Sequence, residues 1–113
     1  MARADDAARI ERWASVEDLA RMSIGTDRGA WHADPGFGSD LWLLKKAGKV
    51  DGQTAGTLER MVRESLRWLV ADGLAGSVEC GAERNGRNRI DYMVTITRPD
   101  GPPVFIKEAW SVV

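Results

Sequence analysis

The side chains able to do chemistry are few in this chain of 113 residues, and their spacing supports little of it. His32 is the single histidine. His32 and Asp34 could offer two metal ligands, but no second histidine and no nearby cysteine completes a zinc shell, which needs three or four. Cys80 is the single cysteine and sits in an alternating apolar segment, where a thiol is usually small apolar filler. The histidine that would have to activate it is far away in sequence. Glu17 with Asp18, and Glu79 with Glu83, are acidic pairs of the kind a glycosidase uses, yet they are equally what a solvated surface carries. The glycines between residues 25 and 56 form no GxxxxGK[ST] cradle and follow no strand. These residues make no catalytic constellation, so the chain is expected to be neither an enzyme nor a holder of metal or cofactor.

Two other residue sets point to binding. ERNGRNR clusters Arg84, Arg87 and Arg89 at one turn, where they could meet phosphates. No aromatic stands beside them to stack on bases, Glu79 and Glu83 lie close, and the net charge is -1, so a solvated turn or a protein-facing cluster fits better than nucleic acid. The second set is tryptophan: Trp13, Trp31, Trp42, Trp68 and Trp110 outnumber two Phe and one Tyr. A domain this small is hard pressed to hide five indoles, and Trp is enriched where proteins grip one another. Among Trp42, Trp68 and Trp110 at least one is expected to fill the core. Trp13 and Trp31 occur where apolar patterning is weakest and are the expected partner-binding pair.

The elements that position these residues follow from periodicity. The first third is acidic, with five basic and eight acidic residues through Asp40 against eleven and nine beyond. Ala7, Ile10, Ala14 and Leu19 give a thin helical stripe over Ala4 to Met22. Ser15 followed by Val16, Glu17 and Asp18 also reads as a fresh helix start, so one helix or two short ones fit. Gly25 to Gly38 is turn-rich and expected as a loop, pinned by Trp31 and Phe37. Ser39 is placed to cap a helix running to Gly48, in which Leu41, Trp42, Leu43 and Leu44 are apolar on every side. Such an element needs cover from more than one direction, and another chain could supply part of it.

The clearest helix runs from Thr54 to about Asp72 and stops at Gly73, with Leu58, Val62, Leu66, Leu69 and Val70 as its buried face. From Leu74 the period falls to two. Val78, Cys80 and Ala82 share one strand face, Ile90, Tyr92, Val94 and Ile96 another, and Asn85-Gly86 turns between them. After Arg98-Pro99-Asp100-Gly101, residues 104–113 return as a third strand with Val104, Ile106, Trp110 and Val112 on one face, interrupted by Glu108. The expected fold class is α+β in one domain over 1–113: a helix-and-loop region 1–38, helices 39–73, and an antiparallel three-stranded sheet 74–113 covered on one side by the long helix. The last strand is expected to be an edge, guarded only by Lys107, and Val104, Phe105, Ile106, Lys107, Trp110 and Val112 with it are expected to bind a partner by strand addition. An ordinary wet edge fits equally. No segment suits a secretion signal or a membrane span, so neither export nor lipid is expected.

The ordered series GAWHAD, GSDLWLLKKAGK, LERMVRESLRWLVADGLA and TITRPDG followed by a Trp-containing strand resembles the Mu-like phage baseplate protein family, over Leu19 to Trp110. That family is related to the sheath-initiator, or wedge, proteins of contractile tails, some once labelled lysozyme-like. The resemblance implies a small α+β virion component, assembled in the host cytoplasm in several copies around the tail axis. It would join baseplate wedge proteins to hub or tube proteins and template the first ring of sheath subunits, without nucleic acid or membrane. The family's old label leaves a peptidoglycan-degrading, lysozyme-like enzyme as an alternative, and the tip carrying Arg84, Arg87 and Arg89 leaves a small nucleic-acid-binding regulator as another. Two departures matter. The wider group often carries Glu-Pro-Arg between long helix and first strand, whereas this chain has Ala71-Asp72-Gly73-Leu74, and the first eighteen residues are unlike the usual start.

Overall fold

A computed structural model of the chain describes residues 15–30, 33–48 and 50–112. Trp13, Trp31 and His32, the helix proposed before Ser15, and Val113 lie outside them. The described residues form three helices packed on one three-stranded antiparallel sheet, an α+β fold.

Helix α1 spans Val16–Gly25 and begins at Ser15, whose hydroxyl accepts from the Asp18 N–H at 3.1 Å while the Asp18 carboxylate accepts from the Ser15 N–H at 3.3 Å. This reciprocal pair satisfies two of the amide donors that a helix start leaves open. Val16, Leu19, Ala20, Ser23 and Ile24 recur at helical spacing and are buried. The helix continues to Gly25, so the loop begins after the expected boundary. Its two ends zip together: Ser39 N–H donates to Thr26 O at 2.8 Å, Arg28 N–H donates to Ser39 O at 3.0 Å, and the Ser39 hydroxyl donates to Ile24 O at 2.7 Å.

That use of Ser39 corrects its expected capping role. Helix α2, Leu41–Ala47, starts from Asp40 with no side-chain capping bond, because the Ser39 hydroxyl is buried against α1 and Asp40 pairs with Arg28 at 3.2 Å. Phe37 does pin the loop, its ring 6.0 Å from that of Trp68.

Helix α3, Thr54–Ala71, is the long one, and Leu58, Val62, Ser65, Leu66 and Leu69 face inward. Val70 does not: it is 41% exposed, because the buried arc is centred on Leu58, Val62 and Leu69 and Val70 lies a hundred degrees beyond Leu69. The helix ends with Leu74 N–H donating to Leu69 O and Gly73 N–H to Val70 O, with Gly73 at φ 78. That is the left-handed termination glycine permits. It turns the chain into β1 (Ser77–Arg84), which pairs with β2 (Arg89–Thr97), which pairs with β3 (Val104–Ser111). In register, Cys80, Val94 and Ile106 stand side by side. Ile90, Tyr92, Val94, Ile96, Ile106 and Trp110 bury the helix-facing side, and their packing on Leu58, Leu66 and Leu69 makes the core.

Candidate docking edge

β1 and β3 are the two edges of the sheet. Which backbone groups each edge offers follows from the ladder. Val112 N–H donates to Asn88 O, two positions beyond the Trp110–Ile90 pair. In an antiparallel ladder bonded pairs alternate along the strand, so Ile106, Glu108 and Trp110 direct their N–H and C=O groups to β2. Phe105, Lys107 and Ala109 direct theirs outward, and no partner for them occurs among the described residues.

The side chains divide in the same way. Ile106 is fully buried and Trp110 is 9% exposed, so neither the indole nor the sec-butyl group is presented to a partner and both serve to hold β3 on the core. Val104 and Val112 are half-buried and pack against the same core. Phe105 is 55% exposed, and Lys107 and Ala109 are exposed beside it, so the positions whose backbone points outward also carry the accessible side chains. Of the expected set, Phe105 and Lys107 are brought together at the edge, Val104 and Val112 flank it, Ile106 and Trp110 lie beneath, and Trp13 and Trp31 fall outside the described residues.

The opposite edge differs. Asn85 N–H donates to Arg89 O, which fixes the alternation of β1 and turns Ala82 N–H outward. That N–H donates to the Glu59 carboxylate of α3 at 3.0 Å. On the β1 edge one outward donor is therefore taken by a helix side chain, whereas on the β3 edge none is among the described residues. Glu59 was not foreseen from sequence; the signal, an acidic residue one position past the apolar Leu58, is too common to single out.

The sheet face away from the helices carries Glu79–Thr95–Phe105, Gly81–Met93–Lys107 and Glu83–Asp91–Ala109 in three registered rows. Met93, 40% exposed, sits in a hollow left by Gly81 and Ala109. It was legible only as an odd position of an alternating strand.

Several of the residues read for chemistry are engaged in the fold. Glu108, which breaks the apolar face of β3, meets Arg21 of α1, and Arg21 also contacts Glu17 at 3.4 Å. Asp18 completes the α1 cap. Glu79 and Glu83 are exposed on the outer sheet face, four residues apart on one strand, which places their Cα atoms about 13 Å apart. The Cys80 thiol is half-buried, and burial, reinforced by Glu59, pushes its pKa up to about 11, the wrong direction for a nucleophile. At the hairpin tip, Arg84 donates to Gly86 O at 3.1 Å and Arg89 to Asp91 at 2.7 Å. Asp91, also accepting from Asn85 at 2.7 Å, is held below the usual carboxylate range by these bonds. Among the described residues no cluster of three His, Cys, Asp or Glu could hold a metal ion.

Of the five indoles, Trp110 is core, Trp68 is half-buried with its N–H donating to the Ser23 hydroxyl at 2.8 Å, and Trp42 is 39% exposed next to Leu43 at 44%.

The model of the family described as Phage protein GP46 matches residues 2–103, and the chain belongs to that family. The match ends one residue before β3. Among solved structures, a crystallised protein from Geobacter sulfurreducens, provisionally named a tail lysozyme, has the same fold: TM-score 0.60, 17% identity, covering 98% of this chain and 93% of the other. No curated protein matches.

Proposed function

We propose that this member of the phage protein GP46 family is a structural part of a contractile-tail baseplate, joining wedge and hub proteins and templating the first sheath ring by accepting a strand along β3. The observation that carries the reading is the outward row of backbone groups at Phe105, Lys107 and Ala109, none of which has a partner among the described residues, whereas on the β1 edge Glu59 takes the Ala82 N–H. A partner strand laid there gains backbone hydrogen bonds without displacing any present in the fold, and the Phe105 ring gives it an apolar contact. Membership of a phage protein family and the tail-related name of the structural neighbour support the same setting. In this role the protein acts in the virion, in several copies around the tail axis, with wedge, hub or tube, and sheath proteins as its partners.

Proline separates the strand's two roles. At Lys107 it removes an outward N–H and leaves the β2–β3 ladder intact; at Ile106 it breaks the ladder itself. The Lys107→Pro chain is expected to keep its circular dichroism and melting profile but to fail to start sheath on reconstituted baseplates. A folded Lys107→Pro chain that starts sheath of normal yield overturns strand addition.

Cell-wall hydrolysis is the second reading, favoured by the name of the Geobacter sulfurreducens protein alone. Turnover of purified peptidoglycan that disappears in Glu79→Gln or Glu83→Gln would replace the structural reading with the enzymatic one.

A further inference from the structure

We propose that the groove between α3 and β1 is a second docking surface, for an acidic polypeptide segment that also carries an apolar side chain. It lies on the flank of the molecule opposite β3 and goes beyond the strand-addition reading.

On the solvent side of α3, Arg60, Arg63, Arg67 and Val70 recur at intervals of three and four residues, so they form one stripe opposite the buried face. Arg60 is answered by Glu64 at 3.2 Å. Arg63 and Arg67 form no ion pair among the described residues, although they are one turn apart and repel each other along the helix. Two guanidinium groups on one stripe, neither in an ion pair among the described residues, make a local basic field on a chain whose net charge is -1. The groove they border continues onto apolar ground: Trp68 and Val78, both half-buried, and Val70 at 41% exposure.

Charge and spacing together define the occupant. Arg63 and Arg67 are about 6 Å apart along the helix axis, and Val70 is about 4.5 Å further on. In an extended segment, side chains on one face repeat every two residues, about 6.6–6.8 Å. An acidic residue, a spacer, a second acidic residue, a spacer and an apolar residue would therefore set two carboxylates against Arg63 and Arg67 and an apolar side chain against Val70 and Val78. Arginine suits this task because its planar fork binds carboxylate through two hydrogen bonds. A nucleic acid strand fits less well. Glu59 and Glu64 flank the stripe and would repel a continuous phosphate track, and the apolar floor offers phosphate nothing.

The test uses the full chain and two fluorescently labelled peptides, Gly-Glu-Ser-Glu-Ser-Leu-Gly and its reverse, since the groove does not fix strand direction. Controls are the same peptides with glutamine for glutamate and an oligothymidylate of equal length. Anisotropy is expected to show binding of at least one acidic peptide. Its affinity should fall at least about tenfold in the glutamine peptide and in Arg63→Glu with Arg67→Glu, and several-fold in Val70→Ser. All these positions are exposed, and unchanged melting curves verify that the variants fold. Lys107→Pro should bind the peptide as the parent does, so failure at β3 and failure here are told apart. Equal binding of acidic and glutamine peptides, no binding of either acidic peptide, or tighter binding of the oligothymidylate overturns the proposal. So does tighter peptide binding in a chain with Asp5→Asn, Asp6→Asn and Glu11→Gln, which would make the chain's own first residues the occupant.

Discussion

Cys80 illustrates how the environment overrides what a residue type offers. Its thiol, raised from the ordinary 9.0 to about 11 by burial, holds its proton more tightly in the folded chain than in the unfolded one. The stabilisation this represents is complete below pH 9 and is lost as the pH climbs toward 11. Tyr92, whose phenol burial pushes up to about 12, adds the same sign of loss above pH 10. Urea midpoints measured at pH 8, 9.5 and 11 should fall steadily in the parent and fall less in Cys80→Ala, the gap between the two opening above pH 9. Glu59 works differently, since its carboxylate occupies a backbone donor of β1. Glu59→Ala should free the Ala82 donor of the β1 edge and give concentration-dependent self-association by sedimentation, whereas Glu59→Gln, which keeps an acceptor, should not. The thiol's inward direction was readable from the alternation of Val78, Cys80 and Ala82. The Glu59 contact was not, because it joins residues 23 positions apart and no local pattern encodes such a reach.

At the scale of elements, the loop joining α1 to α2 is closed by hydrogen bonds between its two ends. Gly38 has φ 112, and a Cβ there would run into Thr26 O and crowd the backbone of Asp27 and Arg28. Gly38→Ala should cost more than about 2 kcal/mol in urea unfolding, since it adds a strained φ to a backbone collision. Ser39→Ala, which strands Ile24 O in the core, should cost about 1–3 kcal/mol. A pair of values near zero would mean that the loop ends are not zipped as described. The elements themselves were largely legible. Leu58, Val62, Leu66 and Leu69 announced α3, Ser15 its own helix start, and the switch to alternation at Leu74 the sheet. Two errors have one cause: Ser39 and Val70 were assigned from local spacing, and tertiary neighbours decided both. Ser39 is drawn to α1, whereas Val70 is turned away from the core by the arc its neighbours bury.

At the scale of the whole molecule, burial and availability fall on different residues of the same strand. Ile106 and Trp110 fasten β3 to the core while Phe105, Lys107 and Ala109 face outward, so the alternation of one strand both builds the fold and leaves its edge open. The strand was legible in sequence as a set of residues, but sorting them into those buried against the helices and those facing outward required the pairing with β2, which fixes which way each amide points. The same pairing sets how an attached chain would bear tension. Pulled along the strand direction, it loads every amide-carbonyl link of the row together, as in a lap joint; pulled crosswise, it peels them off one after another. A coupling built on this border would therefore be strong lengthwise and weak sideways, held or released through the same few links according to the direction of the load alone.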